Sequence, residues 1–271
     1  MEEIIEQLVR RVQDRYWGKY RGFVADNDDP QGIGRLRLRV PAILGDETTD
    51  WALPCLPFGG LADQGFFSVP ETGARVWVEF ENGDLDHPIW TGTFWQAAGD
   101  APAEVRQPPT TRQFKTAAGH YWLMEDAEGE RRVHLQHSAG ASIDIDDGGN
   151  LTLTDAQGAS VRLDAEGGSL RIEDANGNSL TLDATGTVAE DSNGNRIEMG
   201  PGGITVEGTQ VIVKGSQILL GGEGGEPLIK GQSFLSLFMT HVHTSSPTGG
   251  PTTPPIPQGE MSTLSMKVRS S

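Results

Sequence analysis

Ile143-Asp144-Ile145-Asp146-Asp147-Gly148-Gly149-Asn150-Leu151-Thr152-Leu153-Thr154-Asp155-Ala156-Gln157-Gly158 decides the fold. It holds two short segments in which apolar and polar residues alternate, each closed by a glycine turn. The unit recurs through Val161/Leu163, Leu170/Ile172, Leu180/Leu182, Ile197/Met199, Ile204/Val206, Val211/Val213 and Ile218/Leu220. Alternation with period two gives each segment one apolar face, as in a strand. Asp147-Gly148-Gly149-Asn150, Asp155-Ala156-Gln157-Gly158, Asp164-Ala165-Glu166-Gly167 and Asp174-Ala175-Asn176-Gly177 punctuate the strands every nine or ten residues, and toward the end the apolar pairs come every seven. That period is too short for helical repeats or propeller blades and fits a β-solenoid or β-prism.

A five-residue strand with two inward side chains makes no core of its own. Its apolar face needs the next coil of the same chain or the same segment of a neighbouring chain. Strict alternation, small polar turns and the lack of long helices to cover a sheet favour identical chains wound together, with Ile143, Ile145, Leu151, Leu153, Val161, Leu163, Leu170, Ile172, Leu180, Leu182, Ile204, Val206, Val211 and Val213 directed at a shared axis. Ordinary antiparallel hairpins in one β-sandwich are the alternative, because turn signals at this spacing describe both.

The chain has 271 residues, a formal charge of -17 and a pI near 4.6. So acidic a balance opposes nucleic acid as a partner, since phosphate binding needs a positive field. Cys55, the one cysteine, rules out an intrachain disulfide and lies in the apolar run Trp51-Ala52-Leu53-Pro54-Cys55-Leu56, so it is expected to be buried and inert. The start, Met1-Glu2-Glu3-Ile4-Ile5, has no basic region followed by an apolar core, and no stretch is apolar over about 20 residues. The expectation is synthesis in the cytoplasm without a signal peptide.

Five parts are expected. In residues 1–17, Ile4, Ile5, Leu8, Val9 and Val12 mark one face of an amphipathic helix that docks on a partner or packs locally. Residues 18–96 read as a compact β-domain with strands at Tyr20–Asp26, Gly34–Val40, Trp51–Pro54, Arg75–Phe80 and Ile89–Phe94, a strand count that suits an OB barrel but also other small barrels. Residues 97–113 are a linker, 114–222 a β-helical or β-prism needle, and 223–271 a tip segment.

Within the second part, Gly22-Phe23-Val24, Gly32-Ile33-Gly34-Arg35-Leu36-Arg37-Leu38, Trp51-Ala52-Leu53-Pro54, Pro70-Glu71-Thr72-Gly73-Ala74-Arg75-Val76-Trp77-Val78-Glu79-Phe80, Gly83-Asp84 and Pro88-Ile89-Trp90-Thr91-Gly92 closely resemble the OB domain of phage baseplate protein V and VgrG-type central spikes. The resemblance spans about residues 18–96. It implies a trimeric OB collar followed by a trimeric β-helical needle, the order read from the repeats. It further implies a non-enzymatic, membrane-piercing spike of a contractile injection machine: a phage tail, a tailocin, a type VI apparatus or an extracellular injection particle. Expected partners are two further copies of the chain, the hub and tube proteins that the N-terminal helix would meet, and the target cell envelope. The linker leaves no room for the lysozyme domain that some phage spikes insert.

Two rival functions remain. A polysaccharide-cleaving tailspike would use paired carboxylates and aromatic sugar platforms, yet no Phe, Tyr or Trp occurs from Ser138 to Gly222. An OB-type nucleic-acid binder conflicts with the charge.

Three stretches bear on metal or anion binding. Asp144-Ile145-Asp146-Asp147-Gly148 opens like a calcium loop but has no ligand at the twelfth position, and alternation places Asp144 and Asp146 as outward strand residues. Gly221-Gly222-Glu223-Gly224-Gly225 lacks the Lys-Ser/Thr of a phosphate loop. In Thr240-His241-Val242-His243-Thr244, the two histidines would share one face of a strand and point at the axis. Six imidazoles from three chains would suit octahedral iron, and His-x-His tips of related spikes imply one ion per trimer. The other expectation is a blunt end capped by a separate PAAR-type cone, with the histidines incidental. His134, out of phase with Val133 and Leu135, is expected on the outer face.

Overall fold

A computed structural model describes residues 15–220, 226–243, 248 and 263–270. The expected N-terminal docking positions Ile4, Ile5, Leu8, Val9 and Val12, and the glycines at 221–225, lie outside the described residues. The protein is mainly β, and its contacts divide it into two compact units, Met1–Ser138 and Ala139–Ser271.

The first unit opens with a five-stranded sheet. Its strands are β1 (Tyr20–Asp26), β2 (Arg37–Arg39), β3 (Leu53–Pro54), β4 (Arg75–Phe80) and β5 (Pro88–Thr93), in the order β2-β1-β4-β5-β3. An antiparallel bridge from Leu36 to Ala52 joins the chain just before β2 to the chain just before β3, so the two ends of the sheet meet and the barrel closes. β4 shows how the sequence selects the inside. Val76, Val78 and Phe80 are buried, while Arg75, Trp77 and Glu79 between them are half-buried. With Val24, Leu36, Leu38, Val40, Ala52 and Trp90 they form the core. The Trp90 indole N–H donates to the Gly34 carbonyl at 3.0 Å, which satisfies the one polar atom of that large side chain.

Gly22 in β1 is required for close approach, since a Cβ there would stand 2.7 Å from Val78 Cγ2 and 3.2 Å from the Arg39 carbonyl. The chain before β1 is tied to the turn Glu81–Gly83. Tyr16 N–H donates to the Gly83 carbonyl at 2.9 Å, and Arg15 pairs with Asp84 at 3.0 Å.

A three-stranded antiparallel meander follows: β6 (Thr111–Lys115), β7 (Tyr121–Glu125) and β8 (Arg132–Gln136). The preceding linker is strapped down rather than loose. Asp100 accepts N–H bonds from Gln96 and Ala97, Glu104 pairs with Lys115, and Arg106 reaches Glu125 and Glu130.

The second unit carries eight antiparallel strands in sequence order: β9 (Ser142–Ile145), β10 (Leu151–Thr154), β11 (Ser160–Asp164), β12 (Ser169–Glu173), β13 (Ser179–Asp183), β14 (Gly186–Glu190), β15 (Arg196–Gly200) and β16 (Gly203–Glu207). Of the arrangements weighed from the sequence, this is the wall of a prism. Neighbouring hairpins of one chain pair with one another, and no second sheet of the chain lies across them among the described residues.

The turns explain the repeat. At Asp146, Asp155, Asp174 and Asp191 the side chain accepts backbone N–H groups two and four residues on, and a glycine three residues on adopts positive φ: Gly149 78°, Gly158 97°, Gly177 87° and Gly194 82°. Asp-x-x-Gly is thus a hairpin connection in which aspartate fixes the turn and glycine takes the left-handed position. This corrects the placement of Asp146, which is a turn cap and not an outward strand residue.

The structure differs from the sequence reading in three further places. β14 was not legible, because Thr187 and Ala189 stand where the other strands place larger apolar residues. The strand expected at Val211/Val213 does not form: residues 208–217 belong to no ladder, and both valines are exposed. Ile218–Leu220 is a strand, β17, but it pairs in parallel with β19 (Leu264–Ser270), which also pairs with β18 (Glu226–Ile229). A helix, α1 (Pro41–Leu44), follows β2, and a second, α2 (Gly231–Thr240), follows β18.

Candidate functional site

The eight-stranded wall aligns its apolar residues into two columns. One runs Ile145, Leu151, Leu163, Leu170, Leu182, Thr187, Met199, Ile204, and the other Ile143, Leu153, Val161, Ile172, Leu180, Ala189, Ile197, Val206. Cross-strand neighbours in these columns pack edge to edge, yet the face they form is open. Ile143, Ile145, Leu153, Leu163, Ile172, Leu182, Ile197 and Met199 are exposed, and Ile204 keeps 71% of its surface. On β9 and β15 the ordinary order is inverted: Ser142 and Asp144, Arg196 and Glu198 are half-buried while the Ile and Met residues between them are exposed. Contiguous exposed apolar surface of this extent marks an interaction face.

The polar face is largely engaged within the chain, with the buried Arg196 Nε left without a hydrogen-bond partner among the described residues. Arg171 pairs with Glu173 at 3.0 Å and Arg196 with Glu198 at 2.9 Å. Asn150 and Asn178 link successive turns, accepting from the backbone N–H of Ala165 at 2.8 Å and of Ser192 at 3.2 Å. Hydrogen bonds from the Asn178 side chain and backbone, then from Asn176, hold the Asp174 carboxyl at about 2, below the usual carboxylate range. Asp146 and Asp191 are lowered in the same way, first by the Asn150 and Asn195 side chains. These acids are engaged as turn caps.

The β6–β8 meander repeats the arrangement with aromatics. Phe114 faces Trp122, and Trp122 faces Leu135, all three exposed. His134 does lie on the face opposite Val133 and Leu135, but that face is not solvated. His134 is buried, 5.4 Å from the Tyr121 ring, with its ring nitrogens against Arg132 at 2.8 Å and Gln136 at 3.0 Å. Glu125 is buried on this face too. Hydrogen bonds from Thr110, then Thr111 and the Ala127 N–H, together with the charge of Arg106, lower its carboxyl to about 2. No motif announced it, although Thr110-Thr111 at the start of one strand and Glu125 at the end of the next is a pattern that could have done so.

Cys55 is exposed, contrary to the expectation of a buried thiol. Its N–H still bonds the Trp90 carbonyl at 2.9 Å, but β3 has ended and the chain is leaving the barrel, so the side chain has no layer above it. The loop that follows carries Phe58, Leu61, Phe66 and Phe67, all exposed, pinched at its base by the Phe66 N–H to Phe58 carbonyl bond of 3.0 Å. An apolar cavity of about 530 Å3 beside it is lined by Leu56, Phe66, Trp90 and Phe114 among others. Hydrophobic residues in a glycine-rich loop carry no periodicity, so sequence reading passed over them.

His241 and His243 do not lie in a strand. His241 ends α2, and residues 241–243 are irregular. Their rings nonetheless meet edge to face, with centroids 5.2 Å apart. His241 Nδ1 contacts the Phe238 carbonyl. No cluster of three or more His, Cys, Asp or Glu side chains able to hold a metal occurs among the described residues of the single chain.

The chain thus combines a closed five-stranded barrel with antiparallel strands that bear an open apolar face. Residues 20–95 match the family described as the Type VI secretion system/phage-baseplate injector OB domain. The chain is also similar to the type VI secretion system spike protein VgrG5 of Pseudomonas aeruginosa, at 31% identity over 109 residues, which cover 37% of this chain and 14% of that protein. The chain thus matches only about a seventh of the length of this curated relative. The family match covers the OB barrel.

Proposed function

We propose that the protein is the central spike of a contractile injection machine and that it acts mechanically, as a homotrimer, without catalysing a reaction. The observation that carries this reading is the pair of apolar columns on an open wall behind an injector OB domain. Burial of the columns against two symmetry-related walls would produce a shaft with an apolar axis and a polar exterior. Such a shaft unfolds only when many ladder bonds break together, which suits a part that is pushed through an envelope.

The N-terminal segment and the collar are read as the attachment to the hub or tube. The His241/His243 pair is read as a tip site for one iron per trimer, supported by the meeting of the two rings. In the capped-spike reading, the exposed Leu235, Phe238 and Met239 of α2 would instead receive a PAAR-type cone. Sedimentation is the direct test, and a stable folded monomer at micromolar concentration would sink the proposal. Attachment is tested by deleting residues 1–14, which leaves Arg15 and Tyr16 on the barrel. The truncated protein should assemble but fail to join baseplates, and normal incorporation would reduce that segment to local packing.

A further inference from the structure

The outer face of the barrel carries arginines laid among aromatic rings. Inward and outward residues alternate along its strands: Gly22 and Val24 of β1, Leu38 of β2 and Val76 and Val78 of β4 are buried, so Arg21, Phe23, Arg37, Arg39, Arg75 and Trp77 share the opposite face. The ladders set Arg21 opposite Trp77, and Phe23 opposite Arg39 on one side and Arg75 on the other. Arg37 precedes Arg39 by two residues on β2, a step of about 7 Å along the strand.

Ion pairing divides these arginines into two groups. Arg75 is bound to Asp100 at 3.0 Å, and the neighbouring Arg35 to Asp29 at 2.6 Å. Arg21, Arg37 and Arg39 are exposed and have no carboxylate within ion-pair distance among the described residues. Asp26 stands opposite Arg37 in the ladder, but its carboxylate accepts the Asp28 N–H at 2.9 Å. The rings support the guanidinium groups: Arg21 lies 5.9 Å from the centre of the Trp77 ring and 5.6 Å from that of Phe94, and Arg37 lies 5.2 Å from that of Trp51. Stacking engages the face of a guanidinium and leaves its in-plane N–H groups for acceptors. In a chain of formal charge -17, three neighbouring cations without acidic partners mark a surface for an anion brought from outside.

We propose that this face binds a short acidic polypeptide segment in extended conformation, with carboxylates two residues apart meeting Arg37 and Arg39 and a third meeting Arg21. This rests on the reading of the collar as an attachment region and names the chemistry of what attaches there. Spacing agrees, because alternate residues of an extended chain lie on one side and repeat at about 7 Å, the step from Arg37 to Arg39. Guanidinium also takes a carboxylate through two parallel N–H bonds. A nucleic acid would carry its phosphates beyond the three arginines and into the field of a strongly acidic chain, whereas a short segment confines its charge to them.

Fluorescence anisotropy with the full chain tests this. The probe is a labelled decapeptide of alternating Glu and Thr, compared with its Gln/Thr counterpart and with an oligothymidylate of equal charge. The Glu peptide should bind the parent, more weakly as salt is raised, and the Gln peptide should not. Arg37→Gln and Arg39→Gln should each weaken binding about tenfold or more, as the loss of a hydrogen-bonded ion pair requires, while Arg171→Gln on the shaft should leave it unchanged. A folded parent that ignores the Glu peptide, or binds the oligothymidylate as tightly, would overturn the proposal. So would loss of assembly on sedimentation of Arg37→Gln/Arg39→Gln, which would make the face a contact between copies. The role of the site is read separately, from incorporation into baseplates. A double variant that loses the peptide yet incorporates as the parent does would leave the binding face standing and remove it from the attachment reading.

Discussion

Leu170 and Leu182 face each other across the β12–β13 ladder in the middle of one apolar column, which makes them the sharpest probe of the assembly face. Leu182 keeps 37% of its surface in the single chain. Burying a whole leucine side chain contributes about 1.5–3 kcal/mol, so covering what Leu182 still exposes contributes about 1 kcal/mol per copy. Aspartate at both positions would remove that gain and bring six carboxylates toward one axis, each at an effective desolvation cost of several kcal/mol. The penalty exceeds the lost contact several-fold, so assembly should fail and not merely weaken. The control is Thr181→Asp, on the polar face of β13 opposite Arg171, which should leave assembly unchanged. Analytical ultracentrifugation over a hundredfold range of concentration reads the outcome, with circular dichroism to follow strand content. If the Leu170→Asp/Leu182→Asp protein sediments as the parent does, the columns do not meet in the assembly and the reasoning fails.

Three further outcomes are expected. Elemental analysis of the purified trimer should find about one iron for three chains, as a site on a threefold axis requires; unchanged metal content in His241→Ala/His243→Ala would remove the tip site and favour the capped spike. Glu125 has its carboxyl held at about 2 in the folded protein against about 4.3 when unfolded, so its contribution is complete above about pH 5 and is lost as pH falls through 2. The melting difference between parent and Glu125→Gln should accordingly shrink over that interval, and a difference that grows toward low pH would contradict the assignment. Asn178→Ala removes the 3.2 Å bond from Ser192 N–H and the side-chain donor to Asp174; it should cost about 1 kcal/mol per bond lost, and a variant as stable as the parent would show that the turn-to-turn link is idle.

The collar was legible strand by strand because a barrel wall half facing a core writes its alternation into the sequence, as Val76, Val78 and Phe80 do. The columns of the shaft were legible for the same reason, from Ile143 to Val206. The chain also stated its turns, since Asp-x-x-Gly names both the cap and the left-handed position. Strand β14 escaped because Thr187 and Ala189 hold their places through ladder bonds to β13 and β15 rather than through apolar bulk. Periodicity likewise assigned His134 to a face without disclosing what lies over it. Its burial is a property of the folded sheet and of side chains distant in sequence.

Cys55 and Val211/Val213 of the single chain departed from expectation in the same direction, exposed where burial or pairing was expected, for one physical reason. Local composition reports a tendency to be buried or to extend, whereas burial and pairing need a partner surface, and only the tertiary structure supplies or withholds it. The sequence by itself determined which face of each strand is apolar and where the chain turns. The tertiary structure decided that hairpins of one chain pair with one another through β16, that pairing within the chain stops at Gly208, and that the apolar face is left open, because backbone hydrogen bonds are directional and a single wall has nothing to fold against.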